Sequence, residues 1–137
     1  MGFQVTMDAA DPAKQAEFWA QALGYVLQPP PPGFDSWEAF LDKMNVPQEA
    51  RNSRSAIVDP AGVGSRVFFQ QVPEGKTAKN RVHIDVNASN GTHDRALVAA
   101  HVAKLEGLGA QRVEEFDDPL GYWITMLDPE GNEFCVQ

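Results

Sequence analysis

Apolar and polar side chains alternate in two short stretches, one near the N-terminus and one past the middle of the chain. The stretches are residues 3–8 and 81–86. A period of two is typical of a strand with one buried face. We therefore predict two half-buried strands whose apolar side chains, Phe3 and Val82 included, pack beneath a helix while the polar side chains face away from it.

A helix is predicted after each of these strands. The first begins at Asp11, a good N-cap that is followed by a proline, and it ends at Gly24. The second runs from Asp94 or Arg95 to Glu106. Its apolar face is made by Val98, Val102 and Leu105. Strand and helix thus occur twice in the same order.

A turn motif is also repeated. The pattern Asp-Pro-x-Gly occupies residues 59–62 and 128–131, and each copy lies between two short apolar stretches. Proline fixes φ at the second turn position, and glycine gives the fourth its freedom. Each copy therefore predicts a β-hairpin. Further strands are expected at 25–27 and 110–116.

Each half then consists of a strand, a helix and about three strands. This order predicts an α+β fold with mainly antiparallel sheets. We expect a single domain, 1–137, that contains one module at about 1–73 and a second at about 81–137, joined by a linker.

One segment interrupts the repeat. Residues 28–51 begin with a proline-rich run and exceed an ordinary connection in length. Apolar residues at three- and four-residue spacings predict a short helix at 35–45 within this segment. Because long insertions often form binding loops or lids, we expect Trp37 to be a lid aromatic.

The charge balance limits the partners of the chain. Eleven Lys and Arg stand against nineteen Asp and Glu, which gives a formal net charge of -8. A surface for nucleic acid or anionic membrane would be basic, so we expect neither partner. No apolar run approaches the roughly 18 residues of a membrane-spanning helix. The single cysteine, Cys135, rules out an internal disulfide, and we expect a cytoplasmic protein.

Several short motifs follow one another along almost the whole chain. They are Asp11-Pro12, Phe18-Trp19, Leu23-Gly24, Val67 to Gln70, Val72 to Glu74, Lys76, Lys79 to Asp85, Leu108 to Ala110 and Asp128 to Phe134. Together they resemble the glyoxalase-like branch of the vicinal oxygen chelate superfamily, which includes glyoxalase I, bleomycin-resistance proteins and extradiol dioxygenases. The resemblance implies two paired βαβββ modules whose curved, mixed or antiparallel sheets surround a shared cavity. It also implies a homodimer.

In metal-dependent members of that superfamily, each module supplies one ligand from its first strand and one from its last. The resemblance places these positions at Gln4 and Phe68 in the first module and at His83 and Cys135 in the second. Phe68 cannot coordinate a metal, and neither last-strand position keeps the carboxylate that serves glyoxalase I as ligand and base. We therefore expect no glyoxalase I activity and no cofactor. A divergent divalent-metal site made of Gln4, His83 and Cys135 is the alternative.

The remaining candidate chemistry depends on His83. It shares a strand face with Asp85, and the two are candidates for a metal-free acid–base pair. Residues two apart on a strand are separated by about 7 Å, which is long for a direct hydrogen bond. The ligand pocket is predicted to include Gln4, Trp37, Phe68, His83, Tyr122 and Cys135.

Three kinds of function follow from these residues. We favour a metal-free protein that sequesters or otherwise handles a bulky apolar or aromatic small molecule, as resistance-type members of the superfamily do. The alternative is a lyase, isomerase or dioxygenase-like enzyme that uses the divergent metal site or the histidine. An interaction module is the third, because the resemblance implies sheets that often pair edge to edge. In addition, His83 can equally be a hydrogen-bonded pocket or interface histidine, and Cys135 a small buried residue.

Overall fold

The computed structural model describes residues 2–119 and 121–137. The chain divides into two units, Met1–Glu74 and Gly75–Gln137, which are called unit 1 and unit 2 below. Each unit contains a four-stranded mixed sheet against which a twelve-residue helix packs. The predicted α+β fold with two modules is confirmed.

Unit 1 contains four strands and two α-helices. In chain order these are β1 (Val5–Ala9), α1 (Pro12–Leu23), β2 (Val26–Leu27), α2 (Trp37–Lys43), β3 (Arg54–Val58) and β4 (Val67–Gln71), with a 3-10 turn at Gln48–Ala50. The sheet order is β1-β4-β3-β2. β1 runs parallel to β4, and the other neighbours are antiparallel.

The ends of α1 are those that its sequence predicts. The Asp11 carboxylate accepts a hydrogen bond from the Lys14 amide at 3.3 Å, and Gly24 ends the helix with a φ of +69°. The helix buries Phe18 and Trp19, whose rings meet edge to face at 5.6 Å. These rings belong to the apolar layer between α1 and the sheet.

Unit 2 repeats this plan with one helix and four strands. They are β5 (Asp85–Val86), α3 (Arg95–Glu106), β6 (Gln111–Asp118), β7 (Gly121–Leu127) and β8 (Glu133–Val136). The sheet order is β5-β8-β7-β6, with β5 parallel to β8. Among the described residues, the largest fully buried side chains of this unit are Val98, Val102, Leu105, Ile124, Met126, Phe134 and Val136.

The two repeated turns owe their shape to their aspartates. The Asp59 carboxylate accepts hydrogen bonds from the amides of Ala61, Val63 and Gly64 at 2.7–3.0 Å. Asp128 accepts in the same way from Glu130 and Asn132, both at 2.9 Å. These side chains satisfy backbone donors that the hairpin leaves unpaired.

Two predicted strands are shorter than expected, and two apolar side chains do not pack as expected. Phe3 is 76% exposed and Val82 is 83% exposed, so the prediction that both lie beneath a helix is wrong. Pairing in β5 covers only two residues, Asp85 and Val86. The alternating pattern extends past the residues that pair with a neighbouring strand, so Phe3 and Val82 have no sheet to pack against.

The helices described here are too short or too polar to cross a membrane.

Candidate functional site

Within each unit, the first and last strands pair in the same register. In unit 1, Thr6 pairs with Phe68 across β1 and β4; in unit 2, Asp85 pairs with Cys135 across β5 and β8. Gln4 and His83 each lie two residues before these paired positions. The equivalence drawn from the sequence repeat therefore agrees with the strand registers.

A pocket of about 440 Å³ opens in unit 2. It lies on the sheet face that carries the half-buried side chains of β7 and β8, whereas the alternate side chains of both strands are buried. The residues that line it are Lys79, His83, Asp85, Phe116, Trp123, Thr125, Glu133, Phe134, Cys135 and Gln137.

Two stacked rings form one wall of the pocket. Phe116 on β6 and Trp123 on β7 are direct cross-strand partners, with ring centroids 5.0 Å apart and planes inclined by 13°. Tyr122 instead lies on the opposite face of β7, where its hydroxyl donates to Glu115 at 2.9 Å and the Arg95 guanidinium lies 5.1 Å from its ring. The pocket aromatic of this strand is thus Trp123 and not the predicted Tyr122.

The polar end of the pocket contains a direct contact, although the spacing along a regular strand predicts a distance that is long for a hydrogen bond. His83 Nδ1 lies 2.8 Å from Asp85 Oδ1. A distance of about 7 Å separates alternate Cα atoms of a regular strand. Residues 81–84 lie outside β5, so the side chain of His83 can approach that of Asp85. A carboxylate accepts, so the neutral ring carries its proton on Nδ1 and leaves the Nε2 lone pair for another group.

Cys135 lies beside this pair as a half-buried thiol. Burial raises its pKa, the Thr125 hydroxyl 3.8 Å from Sγ opposes that rise, and the charge of Asp85 adds to it. A raised pKa keeps the side chain as a thiol near neutral pH, which disfavours a nucleophilic role. In the absence of a metal, Cys135 therefore behaves as a small pocket-lining residue.

Three donor atoms nevertheless converge at this end. His83, Asp85 and Cys135 each offer one ligand atom, and these atoms lie within 4.8 Å of one another. A nitrogen, an oxygen and a sulfur donor form a set that suits zinc better than the harder Mg²⁺ or Mn²⁺. The third donor of this cluster is Asp85, a residue of the same unit; the predicted participation of Gln4 stays a prediction.

Glu133 is fixed at the pocket by groups of its own unit. Its carboxylate accepts from the Asn80 amide at 3.0 Å and pairs with Lys76 Nζ at 3.0 Å. The backbone hydrogen bond from Asn80 and then the Lys76 ammonium lower the pKa of Glu133 to about 2. It stays ionised across the physiological range.

In unit 1, the residues equivalent to His83 and Cys135 lie next to a guanidinium. Arg66 donates from Nη1 to Gln4 Oε1 at 2.5 Å and from Nε to Gln28 Oε1 at 2.6 Å, and its Cζ lies 5.0 Å from the centroid of the Phe68 ring. The Gln4 oxygen thus already faces a cation, and a metal ion there would be repelled by it. Because Phe68 offers no donor, the unit 1 pair does not fit a metal.

Trp37 lies at the start of α2 in unit 1. Its indole nitrogen donates to the Gln28 carbonyl at 2.7 Å, and its ring meets Phe40 edge to face at 5.7 Å. The side chain is anchored at one end while the residue remains 39% exposed. Its role as a lid aromatic stays a prediction.

The sequence profile of the glyoxalase-like domain matches residues 4–137. The chain belongs to the glyoxalase-like domain family. Its two modules, each with a mixed four-stranded sheet and a packed helix, agree with the fold that the resemblance to the vicinal oxygen chelate superfamily implies. No curated protein matches this sequence significantly.

Solved structures share the fold at low sequence identity. The fosfomycin resistance protein FosX from Mesorhizobium loti is 12% identical with a TM-score of 0.66, covering 100% of this chain and 90% of that one. A possible glyoxalase from Bacillus cereus is 14% identical with a TM-score of 0.64, covering 100% and 98%. A mutant of FosX from Listeria monocytogenes, solved with Mn(II) and dihydroxypropylphosphonic acid, is 12% identical with a TM-score of 0.64, covering 99% and 88%. At these identities the fold alone is shared.

Proposed function

We propose that this glyoxalase-like domain binds a planar, largely apolar small molecule in the unit 2 pocket, in a sequestering role that needs no metal. The observation that carries the proposal is the stacked Phe116–Trp123 wall. A volume of about 440 Å³ lies within the roughly 300–1,000 Å³ of ligand pockets, which combine apolar walls with a few placed polar groups. His83 and Asp85 supply such groups at the other end.

The donor sets support the metal-free reading. The superfamily pattern asks for two ligands in each unit, and in unit 1 those positions hold Phe68 and a glutamine whose oxygen accepts from Arg66. A manganese ion in a relative that is 12% identical does not transfer to residues of such different chemistry.

Titration with neutral planar compounds tests the proposal. Quinoline and 2-naphthol are titrated by calorimetry into the wild type, Trp123→Ala and Trp123→Phe. We expect saturable binding that weakens about 2- to 12-fold in Trp123→Ala, because ring stacking contributes roughly 0.5–1.5 kcal/mol. Trp123→Phe should retain most of the affinity. The matched control, Tyr122→Phe, alters the opposite face of β7 and should leave binding unchanged; equal affinities in Trp123→Ala and wild type would refute the proposed wall.

An enzymatic role is the second candidate, and the 2.8 Å contact between His83 and Asp85 favours it. With its proton on Nδ1, the ring can accept a proton at Nε2 from a bound molecule. The donor cluster with Cys135 also fits a zinc ion, which would activate a bound water or polarise a ligand oxygen.

Metal content separates the two candidates. The purified protein is incubated with one equivalent of zinc, dialysed, and analysed for bound metal alongside His83→Ala and Cys135→Ser. About one zinc per chain, lost in both variants, would favour the enzyme. Zinc retained equally by all three proteins would place the metal elsewhere.

A further inference from the structure

The guanidinium of Arg66 is held in place by neutral groups. Its two hydrogen-bond acceptors are the neutral amide oxygens of Gln4 and Gln28, and its third neighbour is the Phe68 ring. None of the ion pairs found among residues 2–119 and 121–137 includes Arg66, although five other lysine and arginine side chains form one.

A bound anion would stabilise this cation further. Arg66 is half-buried, so part of its hydration is lost, and a desolvated charge needs an opposite charge to offset that cost. The chain carries an acidic excess of eight charges, so carboxylates are plentiful on it. In the part of the chain that the structure describes, none of them is within 4.0 Å of this cation.

The guanidinium also has donors to spare. Five N–H groups are available on an arginine side chain, and the two contacts with Gln4 and Gln28 use one on Nη1 and the one on Nε. Nη2 makes no hydrogen bond to the described residues. A planar guanidinium anchored on an aromatic ring is preorganised for an oxyanion, because little side-chain entropy remains to be lost.

We propose that Arg66 is an anion-binding residue of unit 1 that takes the carboxylate of a small organic acid, with the Phe68 ring and the two glutamines fixing its orientation. The proposal goes beyond the function assigned to the unit 2 pocket and does not depend on it. It assigns to unit 1 a cation built into the chain, beside the two residues, Gln4 and Phe68, at which the superfamily pattern expects metal ligands.

Nuclear magnetic resonance of the arginine Nε–Hε groups tests this directly. The folded wild-type protein is titrated with sodium benzoate, and separately with benzamide, at constant ionic strength. We expect the Arg66 signal to shift saturably with benzoate and to remain unmoved by benzamide, which has the same ring without the charge. Equal responses to both compounds would overturn the proposal.

Variants assign the effect to this side chain. Arg66→Gln should weaken benzoate binding about tenfold or more, and Arg66→Lys should weaken it less, because lysine keeps the charge but not the planar fork. Arg54→Gln, which removes an exposed arginine from the same sheet, is the matched control and should leave binding unchanged. If Arg54→Gln weakens binding as much as Arg66→Gln, only the net charge matters and the site does not exist. Quinoline binding that survives alongside a failed benzoate test would refute this inference alone.

Discussion

The stacked rings of Phe116 and Trp123 should stabilise the fold, and the coupling energy between them should be measurable. The rings face each other across an antiparallel pair at 5.0 Å. Stacked rings contribute about 0.5–1.5 kcal/mol beyond buried area, and opposite cross-strand pairs about 0.2–1 kcal/mol. We therefore expect a coupling of about 1 kcal/mol. Replacing a fully buried Trp by Ala costs about 3–5 kcal/mol; because Trp123 is half-buried, we expect about 2 kcal/mol for Trp123→Ala.

A double-mutant cycle measures this coupling. The wild type, Phe116→Ala, Trp123→Ala and the double variant are unfolded in urea and followed by circular dichroism, because the indole itself is one of the groups removed. The double variant should lose about 1 kcal/mol less than the sum of the single losses. In thermal unfolding, 1 kcal/mol corresponds to roughly 3–5 °C for a chain of this length.

A second cycle provides the control. Val98 is buried on α3, which packs on the sheet face opposite Phe116, so the losses of Phe116→Ala and Val98→Ala should add to within about 0.5 kcal/mol. A coupling below about 0.3 kcal/mol between Phe116 and Trp123, in variants that fold, would refute the stacked wall. The binding proposal would then lose the observation on which it rests.

Three further outcomes are expected from single substitutions. Asp85→Asn should speed the alkylation of Cys135 by iodoacetamide at pH 8, because burial and then the Asp85 charge raise the pKa of this thiol; a slower reaction, measured by mass spectrometry, would contradict this. Glu133, with a pKa lowered to about 2 from 4.5, stabilises the fold above pH 4.5, and this contribution is lost as pH falls towards 2. Glu133→Gln should therefore flatten the pH dependence of the unfolding free energy in that window, and an unchanged slope would argue against it. Gly64→Ala places a Cβ 1.9 Å from Tyr25 Oη and should cost about 1–3 kcal/mol in urea unfolding, with a smaller loss when Tyr25→Phe is added.

The sequence predicts the elements whose signals are local. The N-cap of α1 at Asp11 and its stop at Gly24 are both found, as is the start of α3 after Asp94. These predictions succeed because a cap or a tight turn is decided by the hydrogen bonds of a few consecutive residues. The repeated Asp-Pro-x-Gly turns succeed for the same reason.

Predictions fail where a partner strand decides the outcome. Val82 continues the alternation of 81–86, yet β8 offers pairing only to Asp85 and Val86. The choice between Tyr122 and Trp123 is likewise a matter of phase. Both are aromatic, and a shift of one residue exchanges the two faces of a strand.

The contacts within the site depend on side-chain reach, which spacing along the chain does not contain. Regular strand spacing puts the Cα atoms of His83 and Asp85 about 7 Å apart, but their side-chain atoms lie 2.8 Å apart. The sequence does not mark Arg66 as a site residue, because its partners are two glutamines distant in sequence and a ring. Its position two residues before Phe68 nevertheless indicates that both side chains point to the same face.

The two units show how a duplicated fold can keep its architecture and change its chemistry. Arg66 and Glu133 occupy equivalent places, each two residues before the last-strand position of its unit, and they carry opposite charges. The helix-covered positions stay apolar in both units, as Phe69 and Val136 illustrate. Core substitutions cost several kcal/mol, whereas half-exposed positions tolerate change. Family membership therefore fixes the sheets and helices but leaves the chemistry of the polar face free to diverge. In unit 1 this divergence places a permanent cation beside the first-strand position at which the superfamily pattern expects a metal ligand.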